Sequence, residues 1–321
     1  KPKIFLDGLA GVGARSLRVA NEIKNVEKVV INDVNSDALD VAQRSARLNN
    51  ISNFEISENE TCRFFSLFSQ KDNRGSVVDI DPFGSPTKYF DCSIRATMHG
   101  GLLSVTATDM QVLHGLAKNA CKRKYYGVPI KTEYSNEIAI RLILGCLYAV
   151  SGRLGIQIIP QFVQTHMHYY RIFVKVLTKK DQNQNLGYIS HCFECGNRIV
   201  EKKSSSCCDK CNGELNSAGP LWIGQLFDKK FVNSMLNEIP KFIVDKKCVG
   251  ILEKSVSEAE MPATYYTLDK IASKIKGAPI KMKNAIKILQ DAGYLASPTS
   301  LNPTGFRTNC EIDEIIKLFK N

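Results

Sequence analysis

The chain has 321 residues, 44% hydrophobic and 23% charged, with 43 Lys and Arg against 32 Asp and Glu. No apolar run reaches the roughly 18 to 20 residues that span a bilayer, and no charged start followed by an apolar block marks a signal peptide, so membrane-spanning and secreted classes are set aside and a cytoplasmic protein is expected. The net charge of +11 favours a polyanionic partner, because each neutralised phosphate releases condensed counterions.

The chain opens at Lys1, without an initiator Met and directly before an apolar strand, so a preceding N-terminal segment is expected. From Lys3 to about Thr178 short apolar strands alternate with amphipathic stretches, the pattern of an open α/β sheet with helices on both faces. Strands are predicted at Ile4–Leu6, Val29–Asn32, Phe54–Ser57, Ser76–Ile80 and Leu102–Ala107, and helices at Ala14–Lys24 and Ser36–Asn49, the latter started by Ser36 or Asp37. Asn136–Val150 reads as a buried helix. Ile156–Gln164 and Tyr170–Leu177 then form an antiparallel pair that closes the sheet. Five parallel strands ending in such a hairpin give a class I methyltransferase sheet, Rossmann-like but lacking the sixth parallel strand of a simple nicotinamide-binding fold.

Residues Lys179–Asn185 are polar, as expected of a linker or turn. A cysteine-rich module and a third region from about Leu221 follow. In the last, Thr267–Lys276, the Gly277-Ala278-Pro279 break, Lys281–Ala292 and Gly293–Thr308 read as helix, turn, helix and β-ribbon, an α+β, winged-helix-like arrangement. The expected domains are therefore residues 1–178, a metal module at 179–220 and an RNA-binding domain at 221–321.

The first strand ends in Asp7-Gly8-Leu9-Ala10-Gly11-Val12-Gly13-Ala14-Arg15, with a helix directly after it. Glycines here let backbone amides approach a ligand, and the helix N-terminus suits an anionic group. A dinucleotide, S-adenosylmethionine or a purely structural turn all satisfy this pattern. Asp33, followed by Val34, ends the second strand where a carboxylate can bind both hydroxyls of an adenosine ribose, and Glu60 after the third strand stands near an adenine or caps a helix.

The fourth strand discharges Asp81-Pro82-Phe83-Gly84-Ser85-Pro86 into the crevice where open α/β sheets bind ligands. The prolines stiffen the segment and withhold amide donors. The exocyclic amine of guanine is a poor nucleophile, because its lone pair is delocalised into the ring. A carboxylate accepting its N–H raises electron density on nitrogen and takes the released proton, a role assigned to Asp81. Phe83 then stacks on the base and fixes its plane.

With these residues in place the chain resembles the tRNA guanine-N2 dimethyltransferase family. The resemblance runs through the glycine turn, Asn32-Asp33, Asp79-Ile80-Asp81-Pro82-Phe83-Gly84-Ser85-Pro86, Ala107-Thr108-Asp109, Tyr126-Gly127, Glu137 and Arg141. It implies S-adenosylmethionine as cofactor, tRNA as partner and guanosine 26 as target, with one or two methyls transferred. Cofactor contacts are implied at Asp7, Gly8, Gly11, Gly13, Arg15, Asp33, Val34, Glu60 and Asp81, with Asp81 and Phe83 catalytic. Gly11-Val12-Gly13-Ala14-Arg15 departs from the family's more frequent Ala-Thr-Gly-Ile-Arg. Rival readings are an amino-methyltransferase for another nucleic-acid base and a non-catalytic RNA-binding scaffold.

Five of the eleven cysteines lie between Cys192 and Cys211. Cys192, Cys195, Cys208 and Cys211 form two C-x-x-C knuckles twelve residues apart, suited to a closed, structural zinc site of four thiolates. Cys207 competes with Cys208, and Gly196 and Gly213 are expected to ease the two turns. Lys118–Tyr126 mixes cations with two tyrosines, and Lys274, Lys276, Lys281, Lys283 and Lys287 gather in the last region, both suited to RNA. His114, His166 and His168 are expected to be structural or surface residues. The chain is expected to act as a monomer, with no obligatory protein partner.

Overall fold

The alternation of apolar strands and amphipathic helices produces a seven-stranded sheet. The computed structural model describes residues 3–179 and 184–320. The expected linker at Lys179–Asn185 falls largely outside them. Strands β1 (Ile4–Asp7), β2 (Lys28–Asn32), β3 (Phe54–Ser57), β4 (Gly75–Ile80) and β5 (Thr97–Ala107) run parallel, with β1 in register against β2 and β4. β6 (Gln157–His166) and β7 (Tyr169–Leu177) are adjacent, and their two-residue connection makes them an antiparallel hairpin. The order β3-β2-β1-β4-β5-β7-β6 seats β7 beside β5, as a class I methyltransferase sheet requires. β5 begins five residues before the expected Leu102, because Thr97 already pairs with Gly75; the register shifts before Leu102 pairs with Val77, and Gly100 lies in that irregularity at φ +79°.

Helices α1 (Ala14–Glu22), α2 (Ser36–Leu48), α3 (Thr61–Leu67) and α4 (Phe90–Ala96) connect the strands. Leu17, Leu39, Ala42 and Ala46 pack on Phe5, Val29 and Ile31. Burying each large apolar side chain in such a core contributes about 1.5 to 3 kcal/mol. Helix α2 is capped by Asn35, whose side chain accepts from the Ala38 amide at 3.3 Å. The expected starters Ser36 and Asp37 lie inside its first turn, since Asn35 is the last residue with extended backbone. A disulfide between Cys62 and Cys92 joins α3 to α4.

After β5 come α5 (Met110–Leu113), α6 (Lys118–Tyr125) and α7 (Ser135–Arg153). A three-stranded sheet of β8 (Leu186–Cys192), β9 (Arg198–Glu201) and β10 (Leu215–Trp222) carries the cysteines, with β8 central. Helices α8 (Lys229–Glu238) and α9 (Lys246–Glu258) lead into the winged-helix-like end. That end contains β11 (Tyr266–Thr267), α10 (Leu268–Ile275), α11 (Met282–Asp291), β12 (Ala296–Pro298), β13 (Gly305–Thr308) and α12 (Ile312–Lys320). Its strands are ordered β11-β13-β12, and Leu268, Ile271, Leu289, Phe306, Ile315 and Phe319 form its core.

The chain forms two compact units that do not follow one another along the sequence. One combines the described residues up to Asp109 with Leu147–Ile159 and those from Arg171 to Lys179. The other combines Met110–Cys146, Pro160–Tyr170 and the described residues from Gln184 onward. No helix among the described residues is long and apolar enough to cross a membrane.

Candidate active site and metal centre

The carboxyl ends of β1, β2 and β4 bring their acids to one rim. Gly11 adopts φ +53°, and a side chain there would meet open space, so the turn presents bare backbone. The Gly11 amide donates to Asp33 Oδ2 at 2.7 Å, while Asp33 Oδ1 accepts from Asn35 N at 3.0 Å. These bonds fix the Asp33 carboxylate at the end of β2, with Val34 exposed beside it. Gly8 serves packing, since a Cβ there would come within 2.4 Å of the Phe65 ring. Gly13, at φ +70°, precedes the first residue of α1. Glu60 caps α3, its Oε2 accepting from Cys62 N at 2.9 Å and Arg63 N at 3.0 Å, so the capping alternative is the one its side chain adopts.

Three carboxylates meet two guanidiniums at the ends of β1 and β4. Asp79, 1% exposed, binds Arg15 through Oδ2 and Arg171 through Oδ1, the latter at 2.5 Å. Asp81 Oδ2 pairs with Arg15 at 2.6 Å and with Arg171 Nη1 at 3.6 Å. Asp7 accepts from Ser16 Oγ at 2.5 Å. Burial, reinforced by the charge of Asp79, pushes the Asp7 carboxyl up to about 7 against the lowering effects of Ser16 and Arg15. These three carboxylates outnumber the two guanidiniums, and Asp33 on the same rim has no cationic partner among the described residues, so the rim favours a cationic group over the pyrophosphate of a dinucleotide.

Phe83 is fully exposed at the tip of the following turn. Gly84, at φ +80°, is held from both sides, its amide donating to Thr108 Oγ1 at 2.6 Å and its carbonyl accepting from Thr108 N at 3.0 Å. Thr108 thereby fixes the loop that presents Asp81 and Phe83. Arg171 and the clamping role of Thr108 escape a sequence reading. The available signal for Arg171 is a cation between buried Tyr170 and Ile172, a signal it shares with Lys175 between buried Val174 and Val176.

With this geometry in view, the family model described as N2,N2-dimethylguanosine tRNA methyltransferase matches residues 2–320. The chain belongs to this family. It is 34% identical to the tRNA (guanine(26)-N(2))-dimethyltransferase of Methanosphaera stadtmanae, covering 97% of this chain and 82% of that protein. It is 32% identical to the tRNA (guanine(26)-N(2)/guanine(27)-N(2))-dimethyltransferase of Aquifex aeolicus, over 99% of this chain and 82% of the relative. The solved complex of Trm1 from Pyrococcus horikoshii with S-adenosyl-L-methionine superposes with a TM-score of 0.87 at 27% identity, covering 99% of this chain and 88% of that one. A methyltransferase enzyme is thus the family assignment, in line with the sheet order and the Asp-Pro-Phe-Gly segment.

In the other unit Cys192, Cys195, Cys208 and Cys211 bring their sulfurs within 4.8 Å of one another. Cys192 and Cys211 Sγ lie 3.4 Å apart, and Cys195 and Cys208 Sγ 3.6 Å apart. Tetrahedral zinc with Zn–S bonds near 2.3 Å needs sulfur pairs about 3.8 Å apart, so the four thiols could hold a structural zinc with little movement. Cys207 Sγ points away, towards the Asn212 carbonyl at 3.6 Å, and stays outside the group. Gly196 makes its turn at φ +88°, but in the second knuckle Asn212 takes the left-handed conformation, at φ 59°. Gly213 follows it, with the Glu194 carboxylate close by: a Cβ there would lie 2.5 Å from Oε2 unless that side chain moved. Protein purified under reducing conditions is expected to contain stoichiometric zinc by elemental analysis. Cys208→Ser should lose most of it and Cys207→Ser should retain it, and the reverse pattern would assign the fourth ligand to Cys207.

The expected RNA-facing stretch forms α6, with Lys122, Arg123 and Lys124 in its last turn and Tyr126 exposed just after it. His114 bonds the Tyr170 hydroxyl, and His166 stacks on Tyr169 at 5.1 Å between ring centroids, so both are held by neighbouring side chains. His168 packs near His166, at 6.4 Å between centroids.

Proposed function

We propose that this chain transfers methyl groups from S-adenosylmethionine to the exocyclic N2 of guanosine 26 in tRNA. The observation that carries this reading is the clamped turn after β4, which presents a carboxylate and, two residues on, a fully exposed aromatic at the rim of a cluster with more carboxylates than guanidiniums. Family membership supplies the substrate, since the relatives named above act on guanine 26 of tRNA.

When bound, the cofactor supplies an electrophilic methyl group on sulfur. In this reading Asp33 holds the ribose hydroxyls, the bare Gly11 turn admits the cofactor close to the backbone, and the surplus carboxylate of the Asp7, Asp79 and Asp81 cluster balances the positive charge. Both ion pairs of Asp81 fall on Oδ2, and Oδ1 has no partner among the described residues. Oδ1 is therefore the atom that accepts an N–H of the guanine amine. As the N–C bond forms and the S–C bond breaks, the proton released from nitrogen passes to this carboxylate. Phe83 stacks on the base and keeps the amine directed at the methyl. In this reading the residues from 179 to 220 form the zinc module and the region from 221 onward engages the tRNA through the lysines of its winged-helix-like end, the whole acting as a cytoplasmic monomer.

The test is incubation of the protein with an unmodified tRNA transcript and methyl-labelled S-adenosylmethionine, followed by digestion to nucleosides. Label is expected in N2-methylguanosine and N2,N2-dimethylguanosine and is expected to vanish from a transcript carrying adenosine at position 26. Label confined to adenosine or cytidine would refute the proposal.

A further inference from the structure

Three depressions in the unit that carries the cysteines adjoin one another. The first, of about 410 Å³, is lined by Lys131, Phe193, Arg198, Tyr266, Lys270 and Lys274 among others. It shares Lys131, Thr132 and Glu133 with a second, of about 350 Å³, which extends to His114 and Leu116. Leu116 in turn borders a third, of about 500 Å³, formed by the start of α6 with Lys118 and Arg123. The shared walls make one continuous groove from the zinc knuckle to α6.

Its charge is one-sided. Six cations, Lys118, Arg123, Lys131, Arg198, Lys270 and Lys274, line it against a single carboxylate, Glu133, which is already paired with Arg198. Lys131 and Lys270 are exposed and form no ion pair among the described residues. Arg198 is built in rigidly, its guanidinium 4.4 Å from the Tyr134 ring centroid and 3.9 Å from that of Tyr266. Its buried Nε has no hydrogen-bond partner. Phe193 is 55% exposed at the edge of the first depression, braced by His191 at 4.6 Å between ring centroids. Unpaired cations spaced along a groove suit successive phosphates, and an exposed aromatic at one end suits an unstacked base.

We infer that this groove is an RNA-binding track, in which Lys131 and Lys270 hold backbone phosphates and Phe193 stacks on an unpaired base. The inference rests on the tRNA reading above and adds, in the unit that carries the cysteines, the surface that grips the substrate. It gives the zinc knuckle a task beyond folding, namely to hold Phe193 at the end of the track.

Binding of an unmodified tRNA transcript to the full chain is measured by fluorescence anisotropy over a range of salt concentrations. The double variant Lys131→Ala/Lys270→Ala is expected to weaken binding about tenfold and to reduce the slope of log K against log salt by about 1 to 2. Phe193→Ala should weaken binding several-fold with the slope unchanged, because it removes stacking and no charge. The pair Lys246→Ala/Lys247→Ala removes the same charge from α9, lines none of the depressions and should leave both quantities near wild type. Cofactor binding by calorimetry, unchanged in all three, reports that the chain is folded. If the Lys131/Lys270 variant matches the Lys246/Lys247 control, the track is refuted while wild-type methylation of tRNA still stands. Wild-type protein that binds tRNA through the groove without methylating it would instead refute the catalytic reading.

Discussion

Asp81→Asn is expected to reduce kcat for tRNA methylation by about 100- to 10,000-fold, the span covered by loss of a positioned general base. The substitution preserves the size of the side chain and its ability to accept one hydrogen bond, but an amide cannot take the proton that the guanine amine releases. Arg15 keeps its contact with Asp79, and Thr108 keeps its two bonds to Gly84, so the loop should hold its shape. Affinity for tRNA is accordingly expected to change little, and single-turnover measurements should place the loss in the chemical step. Activity within threefold of wild type would remove Asp81 from the reaction.

The second large effect concerns stability. Glu137, Arg141, Arg307 and Glu258 form a buried ion network. Arg141 Nε donates to Glu137 at 2.8 Å, Arg307 Nη2 lies 3.0 Å from Glu137 Oε2, and Arg307 Nε donates to Glu258 at 2.6 Å. Thr264 N also donates to Glu137, at 2.9 Å, and Arg141 holds the carbonyls of Trp222 and Gly224. Removing one member of such a network strands its partners, which costs about 3 to 5 kcal/mol. Glu137→Ala should therefore shift the unfolding midpoint steeply downward. The single tryptophan, Trp222, is buried beside the network and reports the transition by fluorescence.

Acid should reproduce part of this loss. Burial opposes ionisation of Glu137, but the charges of Arg307 and Arg141 outweigh it together and hold its pKa down at about 2, against 4.5 ordinarily. A carboxylate whose folded pKa is depressed stabilises fully above its unfolded value and loses that contribution as pH falls through the folded one. The window is thus from about pH 4.5 down to 2, and the loss is on the order of 3 kcal/mol. In that window the stability of Glu137→Ala should fall less steeply with pH than that of wild type. Parallel slopes for the two proteins would separate the network from acid unfolding.

The sequence discloses the proposed methyl-transfer rim through local signals. The glycine turn, Asp33 and the Asp-Pro-Phe-Gly segment each stand at the carboxyl end of their own strand, so Asp7, Asp33 and Asp81 are legible without knowing the strand order. Arg171 is not, because its meeting with Asp79 depends on the hairpin returning β7 to the side of β5. The same holds for Arg307, which reaches Glu137 across 170 residues of sequence. Periodicity locates helices but leaves their caps open, and Asn35 rather than Ser36 or Asp37 caps α2. The second knuckle shows another limit. Glycine is the usual left-handed residue, yet Asn212 takes that conformation here, as asparagine does more readily than other side chains. The division into units is equally non-local, since α7 and the hairpin each contribute residues to both.

The imbalance of three carboxylates against two guanidiniums also bears on how the catalyst resets itself. On the proposed function, a cofactor that gives up its methyl also gives up its positive charge, and the surplus carboxylate of the rim would hold the spent molecule less firmly. Discharge would then follow from the transfer itself. A guanosine that is to receive a second methyl needs a fresh donor in between, and a site that lets go of its by-product is suited to that repetition.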